Sequence, residues 1–156
     1  MASGDNIATT IFNFRYRHGV DEKRRVQIPK PWRPADEDTE FTLMLWSKSP
    51  HGPCLRMLPR AQFDKLMQDV EAMSGSDPLK AARKRALGSW SLQVTFDKTG
   101  RICIPDALAN EAGILPNQEV WLVGLTSSFE IWNPERLANV DKADRALSAD
   151  VFRDLE

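Results

Sequence analysis

A nine-residue segment that occurs twice constrains the fold of this chain more than any other feature. Asp21–Pro29 and Asp97–Pro105 both read Asp, three residues, Arg, an apolar residue, any residue, Ile and Pro. Each copy follows an alternating apolar run and precedes a short helical pattern and two further strand-like runs. The two motifs begin 76 residues apart, at Asp21 and Asp97. The strand-like runs that follow each motif end in Pro59 and Pro134, which lie 75 residues apart. A spacing held this closely indicates an internal duplication.

Composition restricts the class of protein. The chain has 156 residues, of which 42% are hydrophobic and 28% charged, as in a globular protein with one core or two small modules sharing one. No run approaches the roughly 18 apolar residues of a membrane span. The N-terminus has no signal-peptide pattern, and residues 1–10 are expected to be a frayed end. We therefore expect a cytoplasmic protein.

The cysteines and histidines offer little for a metal or cofactor. Cys54 and Cys103 lie in strand-like runs, which predicts two buried free thiols. The two histidines are far apart and no Cys-x-x-Cys motif is present. His18 falls in an apolar strand pattern and is interpreted as a residue at the edge of the core. We therefore expect no metal and no cofactor.

The charges are distributed unevenly although the net charge is −1. Residues 15–33 contain seven basic and two acidic side chains, and the chain from Asp106 onward contains four basic and ten acidic ones. Such asymmetry favours a basic working face on an acidic protein, although a charged strand face can also be merely solvated.

Alternation with a period of two predicts the first strand of each copy. The inward positions of the first are Phe12, Phe14, Tyr16, His18 and Val20, with Arg15 and Arg17 on the other face. In the second copy the inward positions are Trp90, Leu92, Val94 and Phe96. Hairpins are predicted from residues 41–46 with 54–58, and from 120–123 with 129–132.

Apolar stripes and capping residues predict the helices. A stripe runs from Phe63 to Met73, and Asp77-Pro78 opens a short helix over 79–87 that carries four cations. Further helices are predicted over Asp106–Ala112, closed by Gly113, and from Pro134 through Val140. The rest, 141–156, is charged and predicts either a loosely docked helix or a disordered tail.

The chemistry of the repeated motif points to nucleic acid rather than to catalysis. Asp21 and Asp97 can accept backbone N–H bonds and orient the arginines four residues later. Arginine suits phosphates and guanine edges. The candidate DNA-binding residues are Arg25 and Arg101, with Lys23, Arg24 and Lys98 beside them and Arg15 and Arg17 extending the surface. No catalytic triad, Gly-rich phosphate loop or metal cluster is evident, so an enzyme is not expected.

Two interpretations of the motif remain open on these grounds. In one, the turns read DNA. In the other, the Asp–Arg pairs are purely structural and the chain is a protein-binding barrel, antitoxin-like or scaffold-like. A toxin gene next to this one would favour the second.

The duplicated motif resembles the MraZ family of the AbrB/SpoVT superfamily of swapped-hairpin barrels. The resemblance covers about residues 11–140 and includes Tyr16-Arg17-His18, the segment Cys54–Pro59, Trp121–Gly124 and Phe129–Trp132. It implies an α+β fold in which two tandem AbrB-like hairpin modules form one pseudo-twofold barrel with flanking helices. The expected organisation is a first repeat over 11–76, a basic connecting helix over 77–87, a second repeat over 88–140 and a charged tail over 141–156.

The resemblance also implies a function. Members of this family are nucleoid-associated transcriptional regulators of the division and cell-wall gene cluster, which bind short direct repeats in double-stranded DNA upstream of their own operon as ring-shaped oligomers. It assigns DNA contacts to Arg25 and Arg101 and, by extension, to Lys23 and Lys98. Because the first copy carries the extra arginines, we expect it to make most of the contacts.

Arg24 departs from the family pattern, which has glycine at that position, as Gly100 is in the second copy. If the turn needs a positive φ, arginine costs roughly 1 kcal/mol relative to glycine. Either the first turn differs in shape, or Arg24 makes an anion contact that compensates. If the turn does need a positive φ, replacing Arg24 by glycine is expected to raise the stability of the protein.

Overall fold

The computed structural model describes residues 10–155 as a mixed α+β protein, as the sequence predicts. The frayed end predicted for residues 1–10 lies outside the described residues except for Thr10. The strands are β1 (Arg15–Gly19), β2 (Arg25–Gln27), β3 (Phe41–Trp46), β4 (Cys54–Pro59), β5 (Ser91–Val94), β6 (Arg101–Cys103), β7 (Glu119–Gly124) and β8 (Phe129–Trp132). The helices are α1 (Arg60–Glu71), α2 (Pro78–Ser89), α3 (Asp106–Ala112), α4 (Pro134–Ala146) and α5 (Ser148–Val151), and a 3₁₀ turn covers Lys30–Trp32.

The strands form two antiparallel sheets. The larger sheet has the order β1-β7-β8-β4-β3-β5, and β2 pairs with β6 as a separate two-stranded ribbon. Strands from the first half of the chain pair with strands from the second half at four places: β1 with β7, β2 with β6, β3 with β5 and β4 with β8. Neither half therefore completes its sheet from its own strands.

The main core lies between these sheets and draws on both halves. Its largest fully buried side chain is Trp32, which packs against Phe12 and Phe129 with ring centroids 6.0 and 4.7 Å apart. The Trp32 indole Nε1 donates to the Asn13 carbonyl at 3.2 Å. Pro34 limits the preceding helix to one turn, and that turn delivers the indole to the core. Burial of one large aromatic ring thus fixes the segment that follows the first motif.

The predicted burial of Phe14 is wrong. Phe12 and Val20 are buried as expected, but Phe14 is 76% exposed and has φ = 72°, so the alternation of side chains breaks at this residue. Gly124 explains the break, because the chain crosses it so closely that a Cβ there would lie 2.4 Å from the Phe12 carbonyl oxygen. The backbone turns to fit this crossing, and the regular strand begins only at Arg15.

The two thiols also differ from expectation in part. Cys54 is buried, and burial raises the pKa of its thiol. Cys103 is exposed, which contradicts the prediction of a second buried thiol. It occupies the outward side of β6, where Ile102 takes the buried position. A three-residue strand offers too few positions for its facing to be read from the pattern.

Capping explains the helices around the sheet. The Asp77 side chain accepts the Leu79 N–H at 2.9 Å and begins α2, and Gly113 ends α3 with φ = 69°. Helix α4 continues six residues beyond the predicted end at Val140. Asp141 anchors the extra turns, since Arg15 donates to both of its carboxylate oxygens at 2.8 and 3.1 Å. Within the described residues, the tail is therefore helical over 141–146 and over Ser148–Val151, and it continues as a turn after Val151.

No helix within residues 10–155 has the length and apolarity that crossing a membrane requires. Over the same residues, His, Cys, Asp and Glu form no group of three or more that could hold a metal ion.

Candidate functional site

The two motif turns have the same geometry. In the first, one Asp21 carboxylate oxygen accepts the N–H groups of Lys23 and Arg25 at 2.9 and 2.8 Å, and the other accepts Arg25 Nε at 2.7 Å. In the second, Asp97 accepts the N–H groups of Thr99 and Arg101 and Arg101 Nε, each at 2.9 Å. Each aspartate therefore closes its own turn and fixes the arginine four residues on, as the motif predicts.

These bonds keep both carboxylates ionised. The backbone hydrogen bond from Arg25, with the other donors of the turn, lowers the pKa of Asp21. Desolvation raises the pKa of Asp97, but the bonds from Arg101 and Thr99 together outweigh it and bring that pKa down to about 2. A carboxyl group that remains charged at neutral pH cannot serve as a general acid there, so the pair of aspartates positions arginines.

The ribbon brings the two turns together. Arg25 pairs across the ribbon with Cys103, and Gln27 pairs with Arg101. Val26, on the inward side of β2, is fully buried, so its neighbours on the strand point outward. Arg101 Nη1 lies 4.0 Å from an Asp21 carboxylate oxygen, so the arginine of the second turn lies close to the first turn. We call the outward side chains of β2 and β6, with the turn lysines, the ribbon face.

The ribbon face presents cations to solvent. The side chains of Arg25 and Arg101 are 34% and 33% exposed, and Lys23 and Lys98 at the tips of the turns are exposed. Four of the predicted site residues are thus gathered on one surface about two strands wide.

Arg24 occupies a different position. It has φ = 58°, matching the φ = 83° of Gly100, so the turn does require a positive φ and the two turns share one shape. Its guanidinium donates to Asp106 and, at 3.1 Å, to Asn110 on α3, and its side chain is only 16% exposed. The compensating anion contact proposed from the sequence is therefore found within the chain. A DNA contact by Arg24 stays a prediction.

Comparing two substitutions of Arg24 isolates the backbone strain. We expect Arg24→Gly to be more stable than Arg24→Ala by about 1 kcal/mol, because both lose the guanidinium but only glycine relieves the positive φ. Urea unfolding of the two variants measures the difference. The control is the same pair of substitutions at Lys23, which has no positive φ. There alanine is expected to be the more stable; an alanine preference at both positions would contradict the strain.

Arg15 and Arg17 are not part of the ribbon hydrogen-bond network. They lie on β1 beside Trp121, with guanidinium carbons 5.9 and 5.5 Å from the ring centroid. Arg15 pairs with Asp141, and Arg17 pairs with Glu119 at 2.7 Å. Acidic side chains of the second half thus offset the charge of both, and their DNA contact remains a prediction.

The structure adds residues that the sequence did not single out. Gln27 donates to the Thr99 carbonyl at 2.5 Å and ties the first copy to the second turn. Arg33 donates to the Ile28 carbonyl at 2.8 Å and lies across Gly100, where a Cβ would come within 2.3 Å of its Nε. The basic run at 15–33 includes Arg33, but its contact with a glycine 67 residues later has no signal in the sequence.

Comparison of the sequence with known proteins identifies the family of this chain. Residues 91–151, which include the second turn, match a family model described as "MraZ protein, putative antitoxin-like". A relative from Thermomicrobium roseum, named transcriptional regulator MraZ, is 32% identical over 128 residues, covering 82% of this chain and 85% of its own length. The chain belongs to the MraZ family.

Two further MraZ relatives extend the similarity over most of the chain. The transcriptional regulator MraZ of Caulobacter vibrioides is 29% identical over 144 residues, which cover 92% of this chain and 88% of the relative. That of Rickettsia canadensis is 29% identical over 125 residues, which cover 80% and 83%. The similarity to MraZ proteins therefore includes both motif turns and not only the second.

Proposed function

We propose that this MraZ-family chain is a sequence-specific DNA-binding transcriptional regulator. Its target is the division and cell-wall gene cluster, where it binds short direct repeats upstream of its own operon. Several relatives carry the name transcriptional regulator, and the ribbon face offers arginine and lysine side chains that can bind DNA. The observation that carries the proposal is the pair of aspartate-held arginines on one exposed ribbon.

The ribbon face suits duplex DNA by shape and by chemistry. A two-stranded antiparallel ribbon fits the major groove, and several regulators read bases in this way. Each aspartate engages its arginine through Nε, and a guanidinium has two further nitrogens whose N–H groups can bond a guanine edge or a phosphate. Lys23 and Lys98 stand beside them as phosphate contacts that set position rather than sequence.

The same proposal covers the architecture. Strand pairing between the two halves supports two interleaved hairpin modules, 11–76 and 88–140, joined by the basic connector 77–87 into one pseudo-twofold swapped-hairpin barrel. Such a barrel places the two motif turns around its twofold axis. One ribbon face per subunit is a small contact, and a ring of subunits strengthens it by engaging tandem repeats at once.

The proposal is tested by measuring binding of the purified protein to a labelled duplex of its own upstream region. We expect affinity to fall steeply as salt rises from about 50 to 200 mM, because each neutralised phosphate releases counterions. A scrambled duplex of equal length is the control and is expected to bind more weakly at every salt concentration. Equal binding of both duplexes would show that the protein binds DNA without sequence specificity. No binding at low salt would refute the proposal.

The protein-binding alternative has one observation in its favour. Both Asp–Arg pairs are complete within their own turns, so the motif has a structural role whether or not DNA is present. Under that alternative, replacing Arg25 lowers the melting temperature and DNA binding is absent from the start. The salt series on the unaltered protein therefore separates the two functions.

A further inference from the structure

A groove at one end of the large sheet has an apolar lining and opens to solvent. Helices α1 and α2 and strand β5 enclose about 410 Å³ there. Phe63, Met67, Val70 and Leu87 provide the apolar lining, and the Lys84–Glu71 ion pair, 3.0 Å long, lies at its rim. Met67 is 37% exposed on the open side. An apolar opening of this kind on a protein surface commonly marks a contact with another chain.

Residues 147–155 carry the complementary feature, large apolar side chains that are at least half exposed in the described structure. Leu147, Val151, Phe152 and Leu155 are between 50% and 74% exposed. Helix α5 covers only Ser148–Val151, and Leu147 and Phe152 flank it directly, so these apolar side chains are concentrated in one short segment. Short apolar segments of this kind bind by placing their side chains in an apolar groove.

The groove and the segment belong to opposite ends of the large sheet. Helices α1 and α2 pack against β3, β4 and β5, whereas α4, which leads into the segment, packs against β7. In the strand order, β5 is one edge of that sheet and β7 adjoins the other edge. A contact between segment and groove is therefore more readily made between two copies than within one.

Charge identifies the occupant of the groove. Helix α2 carries Lys80, Arg83, Lys84 and Arg85 and no acidic residue. Residues 141–156 carry five acidic and three basic side chains. A second copy of this chain thus offers an apolar segment with acidic neighbours to an apolar groove with a basic wall.

We propose that residues 147–155 of one copy bind the α1–α2 groove of the next. This inference rests on the self-association in the proposed function and assigns it a surface. Because the two surfaces differ, the contact is head-to-tail, and repetition of such a contact closes a ring or extends a filament. Every copy in a closed ring uses both surfaces, so the groove and residues 147–155 of each copy are covered.

Two substitutions in the full-length protein test this contact by light scattering after size-exclusion chromatography. Phe152→Lys and Met67→Lys each place a cation in the apolar contact, next to the basic helix α2. We expect the unaltered protein to be oligomeric at about 10 µM. Each variant is expected to be largely monomeric, with the contact weakened about 30-fold or more, as for a central interface residue. Phe14→Lys is the matched control, since Phe14 is 76% exposed, lies outside both surfaces and is expected to leave assembly unchanged.

Mixing the two variants gives the decisive measurement. The Met67→Lys copy keeps an intact segment and the Phe152→Lys copy keeps an intact groove, so one good contact forms between them. We expect each variant to be monomeric alone and the mixture to form a dimer that does not grow further. This result also shows that both variants are folded.

The other outcomes separate this inference from the proposed function. A monomeric unaltered protein overturns self-association and the contact together, while its DNA binding to a single repeat is unaffected. An oligomer that both substitutions leave intact overturns the contact alone, because another surface then holds the subunits. Monomeric variants whose mixture stays monomeric also overturn the contact.

Discussion

Replacing both motif arginines, Arg25→Ala with Arg101→Ala, is expected to weaken binding to the upstream duplex by about 10² to 10⁴-fold. An arginine that bonds a base edge contributes about 1–3 kcal/mol, and the two lie on one ribbon face. Folding is expected to survive, because each aspartate–arginine pair is about one-third exposed and such pairs contribute little to stability. The loss of affinity thus reports contact with DNA.

Arg60→Ala is the matched control for this experiment. Arg60 forms the same kind of local pair, with Asp64 four residues on at 3.0 Å, and removal of its side chain takes away one positive charge, as each single motif substitution does and the double variant does twice. Fluorescence anisotropy at fixed salt compares the variants, and thermal melts confirm that they are folded. If the double variant binds as tightly as the Arg60 variant, the ribbon face does not read DNA. Arg→Lys substitutions at the same two positions keep the charge and are expected to lose mainly discrimination between sequences.

The single variants decide whether the first copy makes most of the contacts, as its extra arginines predict. In the structure the two copies differ less in positive charge available for DNA, because Arg15, Arg17 and Arg24 are each paired with an acidic side chain of the second half. A larger loss for Arg25→Ala than for Arg101→Ala supports the prediction. Equal losses indicate that the two turns act as a symmetric pair.

Local interactions explain what could be predicted from the sequence. The turns, their Asp–Arg pairs and the Asp77 and Asn133 caps each depend on residues within four positions of one another, and all are present. The hairpin strands follow from local patterns in the same way. The sequence leaves open whether the first turn differs in shape from the second, and the matching hydrogen bonds of the two turns show that it does not.

Features that depend on distant residues could not be read from the chain in this way. The guanidinium of Arg24 meets Asp106, 82 residues away, so a side chain predicted to face DNA is held against α3. The positive φ of Phe14 follows from the close passage of Gly124, and periodicity alone predicts burial there. The apolar residues at 147–155 stay at least half exposed in the described structure, and this exposure became visible only once the fold was known.

Glu130→Ala is expected to destabilise the protein by about 3–5 kcal/mol, the largest effect on stability of any change considered. Glu130 on β8 faces Arg56 on β4, and its carboxylate accepts Arg56 Nη2 at 2.6 Å and Trp132 Nε1 at 2.8 Å. The Arg56 guanidinium also lies 3.8 Å from the centre of the Trp46 ring. The two charged side chains are 12% and 20% exposed, so removing one leaves the other buried without a counter-ion.

Urea unfolding of three variants tests this role of Glu130. Glu130→Gln keeps a hydrogen-bond acceptor for Trp132 and is expected to cost less than Glu130→Ala. Glu119→Ala removes the partner of Arg17 from an ion pair that is about half exposed, and is expected to cost no more than about 1 kcal/mol. Equal costs for Glu119→Ala and Glu130→Ala would contradict the argument from burial. Strands β4 and β8 come from different halves of the chain. A large loss of stability for Glu130→Ala and a small one for Glu119→Ala therefore mean that a buried charge pair holds the two halves together. The arginines on the ribbon face take no part in this pair.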